Sequence, residues 1–116
     1  MIRFLFLWGP PIALMTAIFG VSGMPNAPLP GAVPDHAAHF AAYAVLSALF
    51  VRALAGGRWE GLTWGRAARA WGLSVLYGTS DELHQWFVPG RSASVDDVLA
   101  DALGAATAAF VLGAIA

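Results

Sequence analysis

The chain has 116 residues, 59% of them hydrophobic and only 11% charged, with a net charge of −1 and a mean hydropathy of +0.67. A soluble domain carries roughly a quarter charged residues, so this composition describes a small polytopic membrane protein. There is no lysine and no basic run to attract nucleic acid, and the absence of cysteine excludes disulfides, thiolate metal sites and thiol catalysis.

Four apolar stretches reach the roughly 20 residues that a bilayer crossing requires. They cover residues 4–20, 36–54, 67–88 and 95–116 of one domain spanning 1–116. The fold class predicted is all-α, with four transmembrane helices. In the first stretch Arg3 precedes an apolar run, as in a signal peptide, but Pro10 and Pro11 interrupt it and no clear cleavage site follows. It is read as a kinked first span, since proline is tolerated where neighbours satisfy the freed backbone groups. The connection after it contains Pro25, Pro28, Pro30 and Pro34, which forbid a continuous helix. Either a rigid flap over a site or a stiff hairpin suits it. Asp35, after Pro34, is a candidate N-cap for the second helix.

In that second helix Asp35, His39 and Tyr43 follow at intervals of four and share one face. His36 and His39 have the spacing to hold zinc together with Glu82 or His84. No dense ligand motif accompanies them, so a hydrogen-bonded His–carboxylate packing pair is favoured, and neither metal nor cofactor is expected. The third stretch ends in Tyr77, Asp81 and Gln85 on one face, with Glu82 and His84 beside them. Ionisable groups at membrane depth are costly and face a bundle interior or a cavity, which makes residues 77–101 the default functional site. Pro89-Gly90 suits a type II turn, and Ser94-x-x-Asp97 has the form of a capping box. Arg91 with that helix N-terminus forms a candidate anion site, phosphate being the obvious ligand; alternatively Asp96 and Asp97 simply cap the helix and pair with Arg91. In the fourth stretch Asp97 and Asp101 precede a small-residue seam of Ala100, Gly104 and Ala108. Asp81 and Asp101 lie at similar depth, predicting a polar pocket between the third and fourth spans.

Orientation follows the arginines. Arg3, Arg52, Arg58, Arg66 and Arg69 flank the N-terminus and the middle connection, and only Arg91 lies in the last one. The positive-inside rule places both termini in the cytoplasm, so the polar pocket faces outward. Trp59, Trp64, Trp71 and Trp86 sit near predicted span ends, as interfacial anchors do; Trp8 lies deeper in its span.

Three parts of the chain carry a resemblance. These are Ser22-x-x-Pro25; Asp35, His39, Phe40 and Tyr43; and Asp81, Glu82, Gln85, Pro89, Gly90 and Arg91 followed by Ser94, Asp97 and Gly104. Together, over residues 22–113, the chain resembles the VanZ-like family of small bacterial membrane proteins. It departs where His36 replaces a common Lys and Asp101 a common Asn. The resemblance implies the cell membrane, a role in the envelope, and a link to resistance against the glycopeptide teicoplanin.

The favoured function is non-enzymatic: binding of an anionic lipid or cell-wall precursor head group by Asp35, His39, Tyr43, Tyr77, Asp81, Glu82, Gln85, Arg91, Ser94, Asp97 and Asp101. One alternative is a membrane enzyme with Asp81 or Glu82 as general base and His39 or His84 as acid. Another is a proton-coupled transporter subunit, which four short spans allow only as a homo-oligomer. The partners expected are membrane lipids and that precursor.

Overall fold

The computed structural model describes residues 1–24, 35–91 and 93–116. The four prolines of the first connection other than those in helix one lie outside the described residues, as does the choice between flap and hairpin. Among the described residues there are four long helices and no strands: α1 (Ile2–Ser22), α2 (Asp35–Leu54), α3 (Trp64–Trp86) and α4 (Val95–Ile115), with a single 3-10 turn at Trp59–Gly61.

Local chemistry sets the helix ends. Thr63 Oγ1 accepts from the backbone N–H of Arg66 at 3.1 Å, so α3 starts three residues before the apolar run. After α3, the backbone N–H of Arg91 donates to the carbonyl of Val88 at 3.1 Å, and Gly90 has a φ of 83°. This is the glycine conformation a type II turn needs. Ser94 Oγ then accepts from the N–H of Asp97 at 3.1 Å to open α4. The capping box is only half formed, because the N–H of Ser94 donates to Glu82 of α3 instead, at 2.9 Å.

Pro10 and Pro11 lie inside α1 without ending it. Proline at position 10 removes the N–H that would bond the Phe6 carbonyl. Arg52 of α2 supplies the missing donor, Nη1 to Phe6 O at 2.9 Å, with its guanidinium carbon 4.3 Å from the centre of the Phe6 ring. The breach in α1 is thereby repaired by its neighbour.

α2 packs most extensively against α4 and both contact α3, while α1 lies against α2 and α3. The core is built from Tyr43, Leu46, Phe50 and Val51 of α2, Ala67 and Ala70 of α3 and Ala109 of α4. Trp8 packs against this core beside Phe50. The small-residue seam of α4 is rotated from the expected one. Its buried positions are Asp97, Asp101, Gly104, Ala105 and Ala109, not Ala100 and Ala108. It faces α2, where Ser47 Oγ donates to the Ala105 carbonyl at 2.8 Å.

Three helices, α1, α2 and α4, are long and apolar enough to cross a membrane, where four were expected. The exception is α3. It has 23 residues, ample length for a bilayer, but arginines and carboxylates dilute its hydropathy. Much of that polarity is turned inward: Ser74, Asp81, Glu82 and Gln85 are buried, whereas Leu73, Leu76, Leu83 and Trp86 are exposed.

Candidate functional site

His39 is the hub. Its Nδ1 lies 2.8 Å from Oδ1 of Asp101, a carboxylate 1% exposed, so the imidazole and α4 are joined by a charge-assisted bond. The other ring nitrogen, Nε2, points to Oδ2 of Asp35 at 3.6 Å and Oδ2 of Asp97 at 3.9 Å. The predicted face of Asp35, His39 and Tyr43 holds, with the His39 and Tyr43 rings parallel and 6.4 Å apart.

The pairing across helices differs from the expectation in one respect. The sequence spacing predicts a pocket between the third and fourth spans; the structure joins α4 to α2 through Asp101–His39, and α3 enters from the side. Gly78 makes that approach possible. A Cβ there would stand 2.8 Å from Asp101 Oδ2 and 3.2 Å from the Tyr43 ring, a clash that any larger residue would force. Asp81 and Gln85 follow on the same face of α3. The Gln85 side-chain N–H₂ donates to Ser22 Oγ at 3.3 Å and reaches Asp81 Oδ2 at 3.5 Å. Tyr77 turns to α1, donating to the Met15 carbonyl at 2.5 Å.

Between α1, α2 and α3 lies a cavity of about 250 Å³. Leu14, Ala17, Ile18, Val21, Ala38 and Ala42 form its apolar wall, and Ser22, Asp35, His39, Tyr43, Asp81, Gln85 and Arg91 its polar end. Three buried atoms on residues of that polar end have no hydrogen-bond partner among the described residues: Tyr43 Oη, Asp81 Oδ1 and Gln85 Oε1. Asp101 Oδ2, behind them, is likewise unpaired. A buried polar group left unpaired costs about 1–3 kcal/mol, and native structures keep few of them.

Arg91 lies at the rim. It pairs with no carboxylate among the described residues; its Nη1 donates to the carbonyls of Val21 and Met24 at 3.2 Å each, closing the C-terminal end of α1. At the α4 N-terminus the Glu82 carboxylate accepts from the N–H of the N-cap Ser94, and Ser94 Oγ accepts from that of Asp97, so two of the donors beside Arg91 are already engaged within the chain. His84 is apart from His39, stacked on Phe19 with ring centres 4.5 Å apart. His36 is exposed. The zinc set weighed from spacing, two histidines with Glu82 or His84, is therefore not assembled; Asp35, His39 and Asp97 come together instead.

Sequence reasoning missed the contribution of α1. Ser22, Met15 and the carbonyls of Val21 and Met24 hold Gln85, Tyr77 and Arg91 respectively. Backbone carbonyls carry no sequence signal, and a lone serine at a helix end carries little.

A family model described as VanZ/LLP1 matches residues 13–115. No curated protein and no solved structure matches the chain.

Proposed function

The chain belongs to the VanZ-like family, and from that premise we propose a cell-envelope membrane protein whose polar pocket holds the head group of a lipid or lipid-linked cell-wall precursor. One observation carries the reading: a largely apolar cavity whose lining includes Tyr43, Asp81 and Gln85, each with a buried side-chain oxygen that has no hydrogen-bond partner among the described residues. The carboxylate and the amide oxygen accept hydrogen bonds, while the phenol both donates and accepts. They suit hydroxyl or amide groups such as those of a sugar. Arg91 spends only Nη1 on the α1 carbonyls, and its remaining N–H groups suit a phosphate. The apolar wall suits an acyl or prenyl chain.

The topology proposed with it has four crossings, with α3 as the fourth and its polar side covered by α2 and α4. Arg3 lies beside Gly56, at the same end of the bundle as Arg52. By the positive-inside rule that end is cytoplasmic and the pocket opens at the outer face of the plasma membrane.

Native mass spectrometry of the protein, purified in discs of envelope lipid, tests the pocket. A co-purifying lipid whose occupancy falls in Asp81→Asn and Arg91→Ala is expected; equal occupancy in all three proteins would rule the reading out. A role in glycopeptide resistance belongs to the same proposal. It is checked by teicoplanin susceptibility of cells with and without the chain, where no difference counts against it.

A further inference from the structure

Asp35, His39 and Asp97 form a group that the head-group reading does not use as a unit. One ligand atom from each lies within 4.8 Å of the others. His39 is 8% exposed, yet among the described residues its Nε2 has no hydrogen-bond partner, the Asp35 and Asp97 oxygens standing at 3.6 and 3.9 Å. The Nδ1 bond to Asp101 fixes how the ring is turned. With that bond donated by Nδ1–H, a neutral imidazole directs its Nε2 lone pair toward the two carboxylates.

Positive charge is scarce around them. Asp35, Asp81, Glu82, Asp97 and Asp101 gather at this end of the bundle, and no arginine forms a salt bridge with any of them among the described residues. Even a protonated His39 leaves carboxylates in excess. A low-dielectric site with that deficit is stabilised by a bound cation.

We propose that Asp35 Oδ2, His39 Nε2 and Asp97 Oδ2 bind a divalent transition-metal cation, with zinc the first ion to test, and that Asp101 is the outer carboxylate orienting the histidine. Zinc bonds to nitrogen and oxygen of about 2.1 Å give a tetrahedral edge of about 3.4 Å. The two separations from Nε2, 3.6 and 3.9 Å, exceed that by a few tenths of an ångström, and the two carboxylates, within 4.8 Å of each other, would draw together on an ion. A carboxylate on the far nitrogen of a metal-binding histidine is the usual outer support, and Asp101 occupies that position. The exposed side chain of Asp35 gives the ion a path from water. Three protein ligands leave a coordination position for water or a ligand oxygen.

The test is equilibrium dialysis of the protein in lipid discs against zinc, with metal measured by mass spectrometry. One zinc per chain is expected. Asp35→Asn, at an exposed position that leaves the core alone, and Asp97→Asn each weaken binding at least tenfold, whereas Asp96→Asn, an exposed carboxylate beside the site, does not. Arg91→Ala retains the zinc, which separates this site from the head-group pocket. One manganese per chain with the same variant pattern supports the site and changes only the ion. Less than one equivalent of either metal, or equal affinity in Asp35→Asn and Asp96→Asn, overturns the proposal.

Discussion

Gly104 shows how closely α2 and α4 approach. A Cβ there would stand 2.1 Å from the Phe40 carbonyl oxygen, and backbone cannot swing aside as a flexible side chain can. Gly104→Ala must therefore push the two helices apart, at a cost of about 1–3 kcal/mol for an overpacked contact. Gly72 of α3 is the control, since nothing lies within 4 Å of its Cβ position. Replacing an interior helix glycine by alanine gains roughly 0.5–1 kcal/mol, so Gly72→Ala raises the thermal midpoint in detergent while Gly104→Ala lowers it. Asp101 gives a second contrast. Asp101→Asn keeps an oxygen for His39 Nδ1 and places an N–H₂ where Oδ2 is unpaired, so the fold survives at or above wild-type stability. Asp101→Leu removes the acceptor from a buried donor, at about 1–3 kcal/mol. Thermal unfolding of both variants checks the order.

At the scale of the helix, the repair of α1 by Arg52 makes a coupling measurable. Arg52→Met leaves the Phe6 carbonyl without its donor, a loss of about 1 kcal/mol. Pro10→Ala restores the N–H that bonds this carbonyl within the helix, so in that background the cost of Arg52→Met shrinks. A double-mutant cycle on unfolding free energy reads the difference; additive effects would mean that the two features are unrelated. This pair also shows what the sequence carried and what it hid. Pro10, Pro11 and Arg52 were each conspicuous, as a helix interruption and a topology marker, but their contact depends on which faces of α1 and α2 meet. Caps and turns within one segment were legible, as the Ser94 cap and the Gly90 turn show, because local chemistry decides them. Partners between segments were not. Glu82 reaching the Ser94 N–H, and α4 turning its seam to α2, depend on helix rotations that small alanines and glycines spread around α4 leave undetermined. The candidate cluster was legible because charge in an apolar chain stands out: His39 meets Asp101, Asp97 and Tyr43, and Gln85 meets Asp81.

The whole molecule is a bundle 45 Å in its longest dimension, with large apolar side chains such as Phe4, Phe6, Phe19, Leu76, Leu103 and Phe110 exposed along its sides. Patches of this kind are rare on monomers in water. Bilayer chains cover them at no cost, since hydrocarbon is as apolar as the side chains themselves. The two ends then differ in charge: carboxylates around His39 at one, and Arg3, Arg52, Arg58 and Arg66 at the other. That asymmetry is the ground for the proposed orientation, which can be measured. The chain has no cysteine, so one introduced thiol reports unambiguously. Glu60→Cys, at the exposed 3-10 turn, is expected to resist a membrane-impermeant maleimide added to intact cells and to react once the cells are opened. Phe87→Cys, exposed just past the end of α3, is expected to react in intact cells. These two positions flank α3, so opposite labelling also means that α3 crosses the membrane despite its diluted hydropathy. Labelling of both from the same side would leave only three crossings, and would move either the pocket or the middle connection to the other face.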